Sequence, residues 1–212
     1  MAADEALLAA RMRALAAFAP GYFHDLKGPL NTIVLRLELL RAVPSGEAAD
    51  EKRRASVTAI EEQVRRLDRL LQGWLAHTAP LERARRPACD LRALVQDLVA
   101  LAAPSARKRH IELAAALPET AMAVRGSEAG LSVALLDLLQ HALARIEAGG
   151  TLALELGTRD GHARLDLRGV ALDAAALALA AGIVGADGGS CAPAGDHGSA
   201  AGVVLTLPLA AA

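Results

Sequence analysis

Residues 23–31 read FHDLKGPLN and place His24, Asp25, Lys27 and Pro29 within a few positions of one another. Imidazole is a good nucleophile near neutral pH, and its two nitrogens can divide the labour. One attacks an electrophilic phosphorus. The other donates to a carboxylate that orients the ring and balances the positive charge that develops. Asp25 is the nearest carboxylate. Pro29 has no N–H, and its ring crowds the carbonyl four residues back, that of Asp25, so a helix here is expected to bend and free acceptors beside the histidine. A bend next to a reactive side chain opens it to a docking partner. His77, His110, His162 and His197 show no metal-ligand spacing with Cys or acids and read as surface or loop residues. Cys89 and Cys191 lie in connector-like stretches without a CxxC partner. They form neither a disulfide framework nor a metal site and fit a reducing cytoplasm.

The elements that must hold this stretch are helical. Residues 4–19 read as an amphipathic helix or the first turns of a longer one, with Pro20-Gly21 able to kink or restart it. From Tyr22 to Val43, Leu26, Leu30, Ile33, Val34, Leu37 and Leu40 mark one apolar stripe. PSGEAADE, from Pro44, reads as a stop, a loop and a helix start. A second helix runs from about Glu47 to His77, with Val57, Ile60, Val64, Leu67, Leu70, Leu71 and Trp74 on one face. The two form an antiparallel hairpin. Two helices cannot enclose a core around such broad stripes, whereas two hairpins make a four-helix bundle, so a two-fold homodimer is expected. Packing onto the rest of the chain is the alternative.

The polar connector APLERARRPACD suggests a boundary, giving a hairpin domain over 1–80 and a second domain over 81–212. In the second, Leu91–Ala102 reads as a helix, HIELAAAL as a strand and 128–147 as a helix. GGTLALELGTRDGHARLDLRG reads as a hairpin with an Arg-Asp-Gly turn. A small-residue helix, Ala174–Gly185, and a last strand, AGVVLTLPL, follow. Gly185, Gly188 and Gly189 read as the helix end and the turn into that strand. The fold class is α+β: an N-terminal helical hairpin, then an α/β sandwich.

Composition limits the function classes. The 212 residues carry a net charge of −1, which offers no global attraction to nucleic acid or an anionic membrane. Hydrophobic residues are 53% but aromatics only 2%, so the core is aliphatic. The first twenty residues contain Asp4, Glu5, Arg11 and Arg13 and do not read as a signal peptide. No apolar run approaches the roughly 20 residues of a membrane span. A cytoplasmic protein without a membrane sensor is expected. The clusters RMR, KRR and ARKRH read as solvated faces.

FHDLKGPLN closely resembles the H box of sensor histidine kinases: an aromatic, the phospho-accepting His, an acid, an aliphatic, a base, a variable residue, then Pro-Leu. The hairpin context, with EEQVRRLDRLLQGWL on its second helix, is similar too. DLRALVQDLVALAAPSARKRHIELAAALPE resembles the start of the ATP-binding domain of these kinases, LLDLLQHAL its N box, LALAAGIVGADGG the helix after the ATP lid, and AGVVLTLPL the closing strand. The resemblance implies His24 as phospho-acceptor, Asp25 as the group that tunes it, Lys27 beside them and Pro29 as the kink.

The ATP-handling parts depart from the family pattern. The N box implies two asparagines four apart, one of them on Mg²⁺; here the positions are Asp137 and His141, and histidine is a poor ligand for magnesium. The D-x-G-x-G box falls on Gly169, Ala171 and Asp173, and a shifted register recovers only Asp166 or Asp173 as an acid. The lid is missing before Ala174. Phosphoryl transfer from ATP rests on positioning, Mg²⁺ and phosphate clamps, so no bound cofactor and no resident metal are expected. Gly28 stands where many such kinases carry the Asn or Thr that orients water for dephosphorylating a response regulator, which implies weak phosphatase activity. Asn31 and Thr32 are doubtful replacements.

The protein therefore resembles the histidine phosphotransferases built on a dimeric kinase-like hairpin, the ChpT type: a HisKA-like hairpin with a degenerate HATPase-like domain. That resemblance implies transfer between the aspartates of receiver domains through His24, with Mg²⁺ supplied by the receiver and an upstream hybrid or sensor histidine kinase as source. Lys27, Arg36 and Arg41 are candidates for meeting the receiver's acidic face. The alternatives are a divergent ATP-dependent sensor kinase and a non-catalytic pseudokinase that binds receivers or kinases.

Overall fold

The computed structural model describes residues 2–42, 47–78, 88–194 and 201–210. The expected loop from Pro44, most of the connector from Ala79, and His197 lie outside them.

Helix α1 runs unbroken over Ala2–Ala42, and α2 over Glu47–Thr78. Pro20-Gly21 neither ends nor restarts α1. Contacts divide the chain into two compact units, one of residues 21–78 and one of residues 1–20 with 79–212. Residues 2–20 of α1 thus group with the C-terminal part.

In the hairpin unit the apolar stripe splits in two. Ile33 and Leu40 on α1, with Ile60, Leu67 and Leu70 on α2, are half-buried. Leu30, Val34 and Leu37, with Val57, Val64 and Leu71, stay exposed. Each helix carries more apolar width than a single partner covers.

In the second unit, β1 (Ala88–Asp90), α3 (Leu91–Lys108), β2 (Glu112–Ala116), β3 (Ala123–Arg125) and α4 (Glu128–Arg145) lead to β4 (Thr151–Arg159) and β5 (His162–Arg168). Then come α5 (Ala174–Ala186), β6 (Ser190–Ala194) and β7 (Gly202–Pro208). The main sheet has the order β2-β4-β5-β7-β6, parallel only at β2–β4. A small antiparallel pair, β1–β3, stands beside it. The period-2 alternation of β4, β5 and β7 puts Leu154, Leu167 and Val203 in one row and Leu156, Leu165 and Leu205 in the next, all buried. Each fully buried leucine contributes roughly 1.5–3 kcal/mol. Helix α4 is buried almost all round from Ala129 to Leu139, as its unbroken apolar run demands.

Caps fix the helix starts. Asp90 accepts from the amides of Arg92, Ala93 and Met122, joining the start of α3 to the segment before β3. Ser127 caps α4 and Asp173 caps α5. The β4–β5 turn has positive φ at Asp160 and Gly161, the two-residue geometry that an Asp-Gly pair favours.

Several sequence expectations need correction. Helix α3 continues past Ala102 to Lys108 through Pro104, because Pro104 and Ala106 are buried and packing offsets the lost hydrogen bond. The turn at Gly188-Gly189 leads into the edge strand β6 rather than the last strand. Gly189 is needed there, since a Cβ would sit 2.2 Å from the Thr206 carbonyl oxygen. Strand β6 hid in the sequence because SCAPA carries a proline, which an edge position tolerates. The cysteines lie on strands: Cys89 on β1 and Cys191 on β6. Burial pushes their thiols up to about 12 and about 11, which keeps both protonated at neutral pH. Arg11, in the cluster read as solvated, is buried.

Candidate functional site

His24 lies mid-helix on α1 with its side chain 75% exposed. Its Nδ1 is 3.7 Å from Oδ1 of Asp25, whose side chain is 22% exposed. That is beyond hydrogen-bond length but within Coulomb reach of a positively charged ring. The carboxylate on the Nδ1 side leaves Nε2 as the outward nitrogen. Helical spacing of three, four and seven places Lys27, Gly28 and Asn31 on the same flank as His24. Lys27, Gly28 and Asn31 are exposed, and Pro29 is buried behind them. Nothing stands within 4 Å of where a Gly28 Cβ would be, so the approach to the imidazole is open on that side. The Thr32 hydroxyl donates to the Gly28 carbonyl at 3.1 Å and is turned back to the helix.

The contact between the aromatics of the two hairpin helices is one that the sequence did not give away. Trp74 on α2 stacks on Tyr22, ring centroids 5.0 Å apart, and on Phe23, at 5.7 Å. Tyr22 is buried, which raises its phenol pKa, and it hydrogen-bonds the Trp74 main chain. The turn of α1 that presents His24 is thereby anchored to α2. The signal was present: the chain has one tryptophan and one tyrosine.

The second set of expected residues sits in the sheet unit. Asp137 and His141 are one turn apart on α4, Oδ2 to Nε2 3.7 Å, with Asp137 almost fully buried and His141 39% exposed. Burial raises the Asp137 pKa; His141 and Arg13 pull it back down. One turn further along α4, Arg145 pairs with Asp173, the cap of α5. Asp166, an acid that a shifted register would recover, is gripped on β5 by both nitrogens of the Arg164 fork, at 2.7 and 2.8 Å. Gly169 has positive φ and lies so close to the Thr151 carbonyl that a Cβ would be 2.1 Å from its oxygen. It permits close packing against the backbone of β4.

These residues do not fit a magnesium–nucleotide complex. Mg²⁺ takes hard oxygen ligands and keeps several waters. Here the buried carboxylate lies beside an imidazole, and the two other acids are held by arginines. Among the described residues no group of three His, Cys, Asp or Glu side chains is placed to hold a metal ion. No helix among them is long and apolar enough to cross a membrane.

No family model matches the chain. It is 35% identical over 142 residues to the sensor histidine kinase AruS of Pseudomonas aeruginosa, a match that takes in 65% of this chain and 14% of that protein. The chain thus spans a small part of that relative. Among solved structures, full-length ShkA in complex with AMPPNP superposes with TM-score 0.51 at 21% identity, over 92% of this chain and 46% of that one. The cytoplasmic segment of histidine kinase QseC gives 0.50 at 17%, over 69% and 92%. The nucleotide-free catalytic domain of histidine kinase ThkA gives 0.50 at 14%, over 57% and 93%. At these identities the likeness establishes the fold: helices followed by a sheet domain like that of histidine kinase catalytic domains.

Proposed function

We propose that this chain, histidine kinase-like in sequence and in fold and so pointing to two-component signalling, acts as a histidine phosphotransferase. His24 accepts a phosphoryl group from the aspartyl phosphate of one receiver domain and passes it to the aspartate of another. The observation that carries this reading is the contrast between the two sets of residues. An open, carboxylate-flanked imidazole stands on α1, while the acids at the nucleotide position are occupied by the protein's own bases.

The chemistry balances without a nucleotide. Nε2 of neutral His24 attacks phosphorus, a P–N bond forms, and the P–O bond to the donor aspartate breaks, releasing its carboxylate. The proton stays on Nδ1, and Asp25 offsets the charge of the phosphoimidazolium. Transfer to the next aspartate is the same step reversed. Phosphohistidine and aspartyl phosphate are both high-energy, so the exchange runs either way. Mg²⁺ belongs to the receiver's acidic pocket. Lys27 on the same flank would meet that acidic surface. Pairing of two hairpins into a homodimeric four-helix bundle would cover the exposed stripes and repeat the docking surface. A cytoplasmic location follows from the receivers it would serve.

The test uses the full chain, wild type and His24→Ala, with labelled ATP alone and then with a labelled phospho-receiver. Label is expected only with the receiver and only on His24; Asp25→Asn should slow the transfer about 100-fold. Label from ATP alone would make the chain a divergent kinase. Binding of receivers with no His24-dependent label from either donor would make it a non-catalytic binding module.

A further inference from the structure

Alternation along the main sheet puts a second set of side chains on the face opposite the buried leucines. Cross-strand register sets them in rows. Arg159 pairs with His162, and in the next row Gly157, Arg164, Thr206 and Ser190 follow one another across β4, β5, β7 and β6. By the β4–β5 turn lies an open cavity of about 390 Å³, lined by Arg159, Asp160, His162, Arg164 and Thr206. Gly157 adds no side chain to its row, and nothing stands within 4 Å of where its Cβ would be. The polar groups of the lining are only partly used. Arg164 spends Nε and Nη2 on Asp166, at 2.7 and 2.8 Å, which fixes the guanidinium and leaves Nη1 for a ligand. Nε of Arg159 is 3.7 Å from Oδ2 of Asp160, beyond hydrogen-bond length, and both side chains are well exposed. The Thr206 and Ser190 hydroxyls share one hydrogen bond, at 2.7 Å, so one of the two O–H groups remains to donate elsewhere. Nδ1 of His162 is 3.0 Å from the Asp160 carbonyl oxygen. A carbonyl only accepts, so Nδ1 carries the proton and Nε2 is left as an acceptor in the neutral ring.

We propose that this cavity binds a small hydroxylated phosphate ester, a sugar or polyol phosphate. Two guanidiniums on adjacent strands offer planar donors to the phosphate. A bare phosphate ion is too small for the space, whose volume falls in the range of small-molecule pockets, roughly 300–1,000 Å³. The other groups suit hydroxyls: Nε2 of His162 and the Asp160 carboxylate accept, and the Thr206–Ser190 pair donates. Among the described residues no Phe, Tyr or Trp lines the cavity, so a nucleobase would have no ring of that kind to stack on. Neither the residues around His24 nor Asp137, His141 and Asp173 belong to the lining. The inference therefore does not rest on phosphotransfer at His24, and its test reads binding alone.

The test is calorimetric titration of the full chain, without ATP or receiver, at one fixed pH and salt concentration. The probes are glucose 6-phosphate, glycerol 3-phosphate, inorganic phosphate, glucose and succinate. At least one of the two esters should bind, about tenfold or more tightly than inorganic phosphate, while glucose and succinate give no saturable heat. Arg159→Ala should weaken the ester about tenfold or more, the loss expected when a hydrogen bond to a charged group is removed. His162→Ala should weaken the ester but leave inorganic phosphate within about twofold of wild type, since the imidazole meets a hydroxyl and not the phosphate. Arg159 and His162 are both exposed, so both variants should melt as wild type does. Failure of both esters to bind, succinate binding as tightly as the ester, an ester affinity unchanged in Arg159→Ala, or equal losses for ester and phosphate in His162→Ala would overturn the proposal.

Discussion

At the scale of single residues, Gly28 controls what can reach His24. It follows the histidine by one helical turn, and the space its side chain would fill is empty. Glycine inside a helix costs about 1 kcal/mol relative to alanine, so Gly28→Ala should raise the chain's stability by about that much in a denaturant melt. No gain would mean that the glycine relieves a strain not visible in its surroundings. Gly28→Asn places an amide where it can hold a water near phosphorus. It should speed loss of phosphate from a phospho-receiver mixed with the protein, and an unchanged half-life would show that the side chain at position 28 does not govern hydrolysis. His24, Asp25, Lys27 and Pro29 were legible in the sequence because they lie within one and a half turns of a single helix, where spacing alone fixes their neighbours. Trp74 was not, because its contact with Tyr22 and Phe23 crosses between helices.

At the scale of elements, α2 repeats a valine or leucine every seven residues at Val57, Val64 and Leu71, all half in water. On α1, Leu30, Val34 and Leu37, spaced four and three apart, are likewise half exposed. Each such side chain, about half exposed, forgoes roughly half of the 1.5–3 kcal/mol that full burial contributes, which a second hairpin would recover. Light scattering should therefore give twice the chain mass for wild type, and a single-chain mass for the double variant Leu30→Asp with Val64→Asp. A variant that remains double in mass would show that these stripes are not the self-association surface. The hairpin of β4 and β5 was legible from alternation and the Asp-Gly turn. Strands β1, β3 and β6 were not, since three to five residues with a proline or a charge carry too weak a period.

At the scale of the whole molecule, the sheet's solvent face contributes a pH-dependent term. The bidentate Arg164 fork holds the Asp166 carboxyl below the usual carboxylate range. A depressed folded-state pKa contributes stability that is present above the unfolded pKa of about 3.9 and lost as pH falls through the folded value. Wild type should thus be more stable than Asp166→Asn at pH 6, with the gap in melting temperature closing as the pH falls below about 4. A gap that persists at pH 2 would assign the effect to packing rather than to charge.

The sequence by itself determined the local matters: the grouping of His24, Asp25, Lys27 and Pro29 on one helix, the aliphatic core and the alternating strands. Each depends on neighbours within a few residues, where helix and strand periods convert order into geometry. Only the tertiary structure decided which side chains answer one another across the fold. It turned Asp173, the cap of α5, to Arg145 on α4. It set Gly169 against the backbone of β4 and gave residues 2–20 of α1 to the sheet domain. A buried charge is stable only beside its counter-charge, and that partner comes from whichever element packs there, a choice no local spacing records.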